Sequence, residues 1–384
     1  MREITNNSGR ELLRWLEARR AEMIAIIRRL VEAESPSFNK AAVDRVGELL
    51  ADECEERKAL VRFHRARRFG NNLQADFPGE KDPPVLLLGH MDTVWDIGTL
   101  KTMPFRQGGG RLWGPGVLDM KAGIAQMLFA TDALRAVRGW LTRAVTVLLV
   151  SDEEVGSESS RAITEKLAKK SAAVLVCEPA FGLHGALKTA RKGVGQYTVK
   201  VIGCAAHAGL DSEKGQSAIV ELARQIGEIA GFTDRKRGIT VNPGVVRGGT
   251  RSNVVPAEAM AEVDARIARL ADAARLDRKF RALRPFNKKC RLEVSGGLNR
   301  PPMERKATAA LFAEAQALAR ELGFELAEAA VGGGSDGNFT AALGIPTLDG
   351  LGAVGEGAHA ANESVLISEL VPRTALLARL IESI

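Results

Sequence analysis

The chain is poor in residues that mark several protein classes. It has four cysteines, Cys54, Cys177, Cys204 and Cys290, and no two form a CxxC pair. Neither a thiolate zinc site nor a disulfide framework is indicated. Aromatic residues make up 5% of the chain, with a single tyrosine. The basic clusters at residues 65–68, 235–237 and 275–291 therefore lack the aromatic interleaving of a nucleic-acid surface, and they read as solvated faces. The formal net charge of +7 suits attraction of a small acidic substrate instead. No apolar run is long enough to cross a bilayer, so no membrane partner is expected. The first thirty residues mix Arg, Glu and apolar residues at helical spacing. They lack the apolar middle and small-residue cleavage site of a secretory leader. Cytoplasmic residence is the expectation, or periplasmic residence had a leader been trimmed.

What is present is an ordinary globular composition, 45% hydrophobic and 26% charged over 384 residues, enough for two domains. Residues 10–33 and 40–58 read as amphipathic helices. Four apolar runs read as strands, each leading to an acidic or imidazole group. Residues 85–88 run up to His90, 112–118 to Asp119, 144–150 to Glu153 and Glu154, and 173–177 to Glu178. A helix over 121–135 follows Asp119. This β-α-β rhythm predicts a largely parallel sheet covered on both faces. Near residue 190 the pattern changes. Strands at 196–203, 239–246, 257–267 and 289–295, with helices at 214–230 and 270–283, spell the β-α-β-β-α-β unit of ferredoxin-like domains. Residues 303–384 return to the first style. The fold expected is α/β. A catalytic domain of residues 1–189 and 302–384 carries an inserted domain at 190–301.

Open α/β sheets present their chemistry at the carboxyl ends of strands. His90, Asp119, Glu153, Glu154, Glu178 and His359 are candidates for one site. Imidazole and carboxylate together suit zinc, with cobalt or manganese as alternatives. The adjacent pair Glu153-Glu154 allows one carboxylate to ligate while its neighbour works as general base, the division that metal-assisted hydrolysis requires.

His90-Met91-Asp92, the stretch Gly114 to Lys121, Ser151-Asp152-Glu153-Glu154-Val155-Gly156-Ser157, Cys177-Glu178-Pro179 and Gly357-Ala358-His359-Ala360 resemble, in order, the motifs of the M20 metallopeptidases. The stretch from His90 to Trp95, with Gly114 to Lys121, is most similar to the glutamate carboxypeptidase (carboxypeptidase G2-like) branch. The resemblance implies a zinc-peptidase catalytic domain with an inserted lid and dimerisation domain. It implies two zinc ions per subunit: Asp119 would bridge them, His90 and Glu178 would complete one, and Glu154 and His359 the other. Glu153 would be the general base acting on a shared water, and Asp92 would orient the His90 ring. A cis peptide after Asp119 is implied too. His207, in Ala206-His207-Ala208-Gly209, would be a lid histidine supporting the developing oxyanion. Asn253, Arg266 and, more weakly, Arg300 would hold the substrate's terminal carboxylate, a task that suits a guanidinium. For Arg266 a strand-edge salt bridge is the competing reading.

The implied reaction releases a C-terminal amino acid of glutamate type from an N-acyl amino acid or small peptide, in a homodimer joined through the inserted domain. An N-acyl amino acid deacylase of the acetylornithine or succinyl-diaminopimelate type uses the same metals and remains open. So does a metal-free binding protein of the same fold. The GxGxxG of residues 332–337 lies too late in the chain for a dinucleotide site. The resemblance places that loop at the substrate pocket instead. Lys121 is expected to anchor its loop, and His64 and His184 to serve packing or surface.

Overall fold

The computed structural model describes residues 2–384, with side chains from residue 9 onward. The chain forms two compact units. One runs to Ala190 and resumes with Arg305–Ala330 and Ser335–Ile384; the other comprises Arg191–Glu304 and Val331–Gly334.

Among the described residues, the larger unit holds an eight-stranded sheet in the order Leu60–His64, Asn72–Phe77, Val145–Val150, Val85–His90, Ala173–Val176, Thr347–Asp349, Leu187–Arg191, Glu328–Val331. The four strands from Val145–Val150 to Thr347–Asp349 run parallel, and antiparallel strands flank them. Burial on both faces explains why Val85–His90, Val145–Val150 and Ala173–Val176 are mostly apolar. Val85, Leu87, Val147 and Leu149 enter one core, while Leu86, Leu88, Leu148 and Val150 enter another on the opposite face. Full burial of each such side chain contributes roughly 1.5–3 kcal/mol. The first core is closed by helices Arg20–Glu32, Ala122–Arg138 and Ile367–Ser383, and the second by Arg161–Ala168.

Two readings from the sequence need correction, and two strands escaped it. The run 112–118 is not a strand of the main sheet. Only Arg111–Trp113 is extended, and it pairs with Arg106–Gly108 and Ser364–Leu366 in a small separate sheet. Gly114 at φ 152° and Gly116 at φ 72° then turn the backbone into the tight turn Val117–Lys121, which carries Asp119. The single helix over 10–33 is two, Arg2–Glu17 and Arg20–Glu32. The outer strands Leu60–His64 and Asn72–Phe77 went unread because polar residues fill one face. His64 Nε2 lies 2.8 Å from Gln74 Oε1, and Gln74 donates to Asp76.

The smaller unit is the expected β-α-β-β-α-β. Its strands Thr240–Gly248, Glu258–Ile267, Gly193–Ile202 and Arg291–Arg300 stand in that order, all antiparallel, beside helices Ala218–Ala230 and Ala273–Ala282. Alternate residues Tyr197, Val199, Val201, Ala261, Val263 and Ala265 are buried with Leu222 and Phe280 from the helices. Tyr197 stacks on Phe280 at 3.7 Å between ring centres. The helix over 218–230 opens on Ser217, whose Oγ accepts from the Val220 N–H.

Two glycines bring the turn bearing Asp119 down onto the strand ends. A Cβ at Gly89 would meet Met120 Cε at 2.4 Å, and one at Gly123 would meet the Cys177 carbonyl oxygen at 2.2 Å. The second obstacle is backbone and cannot swing away. Gly123→Ala is therefore expected to lower stability by about 1–3 kcal/mol, the usual cost of overpacking. A reduced urea midpoint with unchanged slope would show it, and an unchanged midpoint would contradict the close approach.

Candidate metal centre

The carboxyl ends of the parallel strands lie along one edge of the sheet, and the chain delivers ionisable groups just beyond them. His90 is the last residue of its strand, Glu153 and Glu154 form a short turn three residues after Val150, and Glu178 lies two residues after Val176. Asp119 arrives from the turn ahead of helix Ala122–Arg138, across a cis Asp119–Met120 peptide bond. His359 arrives from the loop after Gly355–Glu356. Its φ of +62° is left-handed, a conformation that costs a non-glycine residue of order 1–3 kcal/mol. Hydrogen bonds from Ala360 N to Gly357 O and from Glu363 N to Ala360 O tighten that loop.

These groups meet. His90 Nε2 lies 3.0 Å from Asp119 Oδ1 and 3.4 Å from Glu178 Oε1. His359 Nε2 lies 3.4 Å from Asp119 Oδ2 and 3.1 Å from Glu154 Oε1. The Asp119 carboxylate thus faces one imidazole with each oxygen. Ligand atoms of His90, Asp119 and Glu154 fall within 4.8 Å of one another, as do those of His90, Glu153 and Glu178. Reach alone therefore does not separate Glu153 from the other three acids. Four carboxylates and two imidazoles are donors of the kind that hold zinc, cobalt or manganese. Without a cation, their mutual fields are large. Burial works against ionisation of Asp119, yet hydrogen bonds from His359 and His90 hold its carboxyl well below the usual range. His359 is pushed up to about 10 by its hydrogen bonds to Asp119 and Glu154. Burial and the charge of Asp119 raise Glu154 against the pull of His359. Burial lowers His90, but its bonds to Asp119, Asp92 and Glu178 outweigh that and raise it.

Around this cluster stand residues that hold backbone. The His90 ring places Nδ1 2.9 Å from the Asp92 carbonyl oxygen and 3.5 Å from its carboxylate. The ring N–H thus meets the main-chain carbonyl first. The Asp92 carboxylate, fully buried, accepts from the Glu153 N–H at 3.2 Å, the Glu154 N–H at 3.3 Å and Ser37 Oγ at 2.7 Å. It therefore anchors the Glu153-Glu154 turn as well as standing beside the histidine. Glu363, which the sequence reading missed, accepts from Trp95 and from the turn bearing Asp119. Its only sequence signal is a lone acid four residues past His359. Lys121 is buried, as an anchor would be, and burial brings its ammonium down to about 7 against the pull of Glu363 and Glu34.

The remaining candidates belong to the smaller unit. His207 lies on the exposed strand Ala206–His207, paired with Val254–Val255. Its Nδ1 accepts from the Gly209 and Leu210 N–H groups, which places the proton of the neutral ring on Nε2. Asn253 is exposed, and its carbonyl takes the Ala208 N–H at 3.0 Å. Arg266 is engaged by Asp264, two residues earlier on the same face of its strand, with Nη2 to Oδ2 at 2.8 Å and Nε to Oδ1 at 2.9 Å. The salt bridge left open from the sequence is formed, so a ligand carboxylate would compete with Asp264. Arg300 is buried at the end of its strand.

Residues 86–383 match the model of peptidase family M20/M25/M40. Carboxypeptidase G2 of Pseudomonas sp. (strain RS-16) is 31% identical over 368 residues, covering 94% of this chain and 88% of that one. Among solved structures, the aminopeptidase PepT of Bacillus cereus superposes with a TM-score of 0.76 at 22% identity, covering 94% of this chain and 98% of the other. The Bacillus subtilis YXEP protein, described as a dinuclear metal-binding peptidase of the M20 family, does so with a TM-score of 0.67 at 16% identity, covering 96% and 98%. At such identities the two structures establish the fold alone, while the family match spans well over half the chain. The chain belongs to peptidase family M20/M25/M40 and is a metallopeptidase of that family.

Proposed function

We propose that this chain is a dizinc carboxypeptidase that releases a C-terminal amino acid of glutamate type from an N-acyl amino acid or small peptide. The observation that carries the proposal is the Asp119 carboxylate set between two imidazoles, with one further acid beside each. Asp119 would reach both ions, His90 and Glu178 would hold one, and Glu154 and His359 the other. When bound, the ions would polarise the scissile carbonyl and lower the pKa of the attacking water. Likeness to a carboxypeptidase over nearly the whole chain supports the choice of a substrate with a free carboxylate.

Glu153 is assigned the proton. It takes one from the water as the carbonyl is attacked and returns it to the departing amine nitrogen, as general base and then general acid. Its neighbour Glu154 is fixed by the same Asp92 carboxylate, so base and ligand keep a constant spacing. His207 is assigned to the oxyanion: its Nδ1 is occupied by the Gly209 and Leu210 N–H groups, which leaves Nε2–H as the donor. Asn253, Arg266 and Arg300 are assigned to the substrate carboxylate. A homodimer joined through the smaller unit is part of the same reading. Thr240–Gly248 is an edge strand with Val245 and Val246 exposed, and Ile219 and Val220 are exposed on helix Ala218–Ala230. An open edge flanked by apolar side chains favours pairing with a second copy.

Glu153→Gln is expected to lower kcat by at least about 10²-fold while zinc content stays at the wild-type value, because a general base is removed and no ligand is. Metal analysis beside steady-state kinetics checks this; normal turnover would refute the assignment. His359→Ala is expected to lose one ion per chain, and unchanged zinc stoichiometry would contradict its role as ligand. Folyl-, benzoyl- and acetyl-glutamate are expected to be hydrolysed in preference to acetylornithine. The reverse preference would favour a deacylase. Size-exclusion chromatography with light scattering should report a dimer at micromolar concentration, and a monomer there would remove the proposed interface.

A further inference from the structure

Glu363 touches no reacting group, yet its carboxylate joins three segments that carry the proposed ligands. It is fully buried. Oε1 accepts the main-chain N–H groups of Leu118 at 2.9 Å and Asp119 at 3.0 Å. Oε2 accepts the Gly116 N–H at 2.8 Å and the Trp95 indole N–H at 2.8 Å. Trp95 follows His90 and Asp92 in the segment leaving the strand Val85–His90, and Glu363 itself ends the loop that carries His359. One side chain thus ties the His90 segment, the Asp119 turn and the His359 loop together.

The local backbone leaves this task to Glu363. The turn Val117–Lys121 has non-helical dihedrals at Asp119 and Met120, so its amides do not lie along a helix. An ionised carboxylate meeting four convergent donors makes charge-assisted bonds, the strong class of protein hydrogen bond. The strand Ser364–Leu366, paired with Arg111–Trp113, fixes the backbone from which the side chain projects. At the far end of the loop, Gly357 at φ +83° would place a Cβ 2.8 Å from Asn362 backbone atoms, so the loop closes tightly over its own base.

We infer that Glu363 is a positioning residue for the metal centre: its carboxylate sets the Asp119 turn against the two histidine-bearing segments, and metal affinity depends on it. The inference rests on the reading of Asp119, His90 and His359 as ligands. It differs from a general role in stability because what it fixes is the mutual placement of ligands. Glu363→Gln keeps the volume but offers one acceptor oxygen. The amide NH2 would then face either the Leu118 and Asp119 donors or the Gly116 and Trp95 donors, leaving those groups opposed to hydrogens.

The test measures zinc dissociation constants by chelator competition on folded wild type, E363Q and E363D, with the visible spectrum of the cobalt-substituted proteins and the melting temperature of the metal-free ones. Outer residues that orient ligands typically govern metal affinity by about 10–100-fold, and a weakening in that range is expected for E363Q, with an altered cobalt spectrum. E363D keeps the charge and is expected to fall between E363Q and wild type. Wild-type affinity and spectrum in E363Q would overturn the inference, as would a lowered melting temperature with unchanged affinity. If E363Q does not fold, E363D decides: wild-type affinity there overturns the inference, and intermediate affinity supports it. Failure of both to fold would also overturn it, since Glu363 would then serve the core. Wild type that binds no zinc would instead defeat the functional reading, which keeps the two failures distinct.

Discussion

Carboxylates gathered beyond the strand ends of one sheet impose the constraint on which this structure turns. Asp119, Glu153, Glu154 and Glu178 stand around two imidazoles, and each such charge taken from water costs free energy unless it meets a partner. Two imidazoles do not balance four acids. The cluster pulls His359 to about 10 and still leaves Glu154 raised by burial and by Asp119. Divalent cations held by these residues would resolve that imbalance, and the donors are of the type that zinc takes.

Much of the surrounding chain serves to hold the acids where they would otherwise repel. The four parallel strands, buried on both faces, bring their ends to one edge. Gly89 and Gly123 let the Asp119 turn and its helix settle onto those ends. Two more carboxylates, Asp92 and Glu363, are spent on backbone N–H groups, one under the Glu153-Glu154 turn and one under Asp119. An acid used in this way orders a turn through its N–H groups, and Asp92 also sets its charge beside His90. The left-handed His359 fits the same pattern, since a strained residue persists where its surroundings over-determine it.

What was legible in the sequence follows from this division. Strands buried on both faces leave unbroken apolar runs, so Val85–His90, Val145–Val150 and Ala173–Val176 could be read together with the groups that follow them. The ferredoxin-like unit was legible because its strands alternate and its helices carry one apolar face. Asp119 follows a strand that stops at Trp113: its nearer apolar neighbours lie in a turn, which periodicity cannot distinguish from an extended segment of that length. The outer strands Leu60–His64 and Asn72–Phe77 were hidden by a polar network on one face. Glu363 and Trp95 left no periodic trace, because binding main-chain amides from a distant turn depends on tertiary approach alone. The pairing of Arg266 with Asp264 is legible too, since residues two apart on a strand share a face.

The central claim is that these donors enclose two divalent cations around Asp119. Crystals grown with zinc and measured on both sides of its absorption edge test it most directly. The account predicts two anomalous peaks per chain about 3.5–4 Å apart, one beside His90 and Glu178 and the other beside His359 and Glu154, with Asp119 between them. A difference map with no peak among these residues, or with zinc held elsewhere, would contradict it.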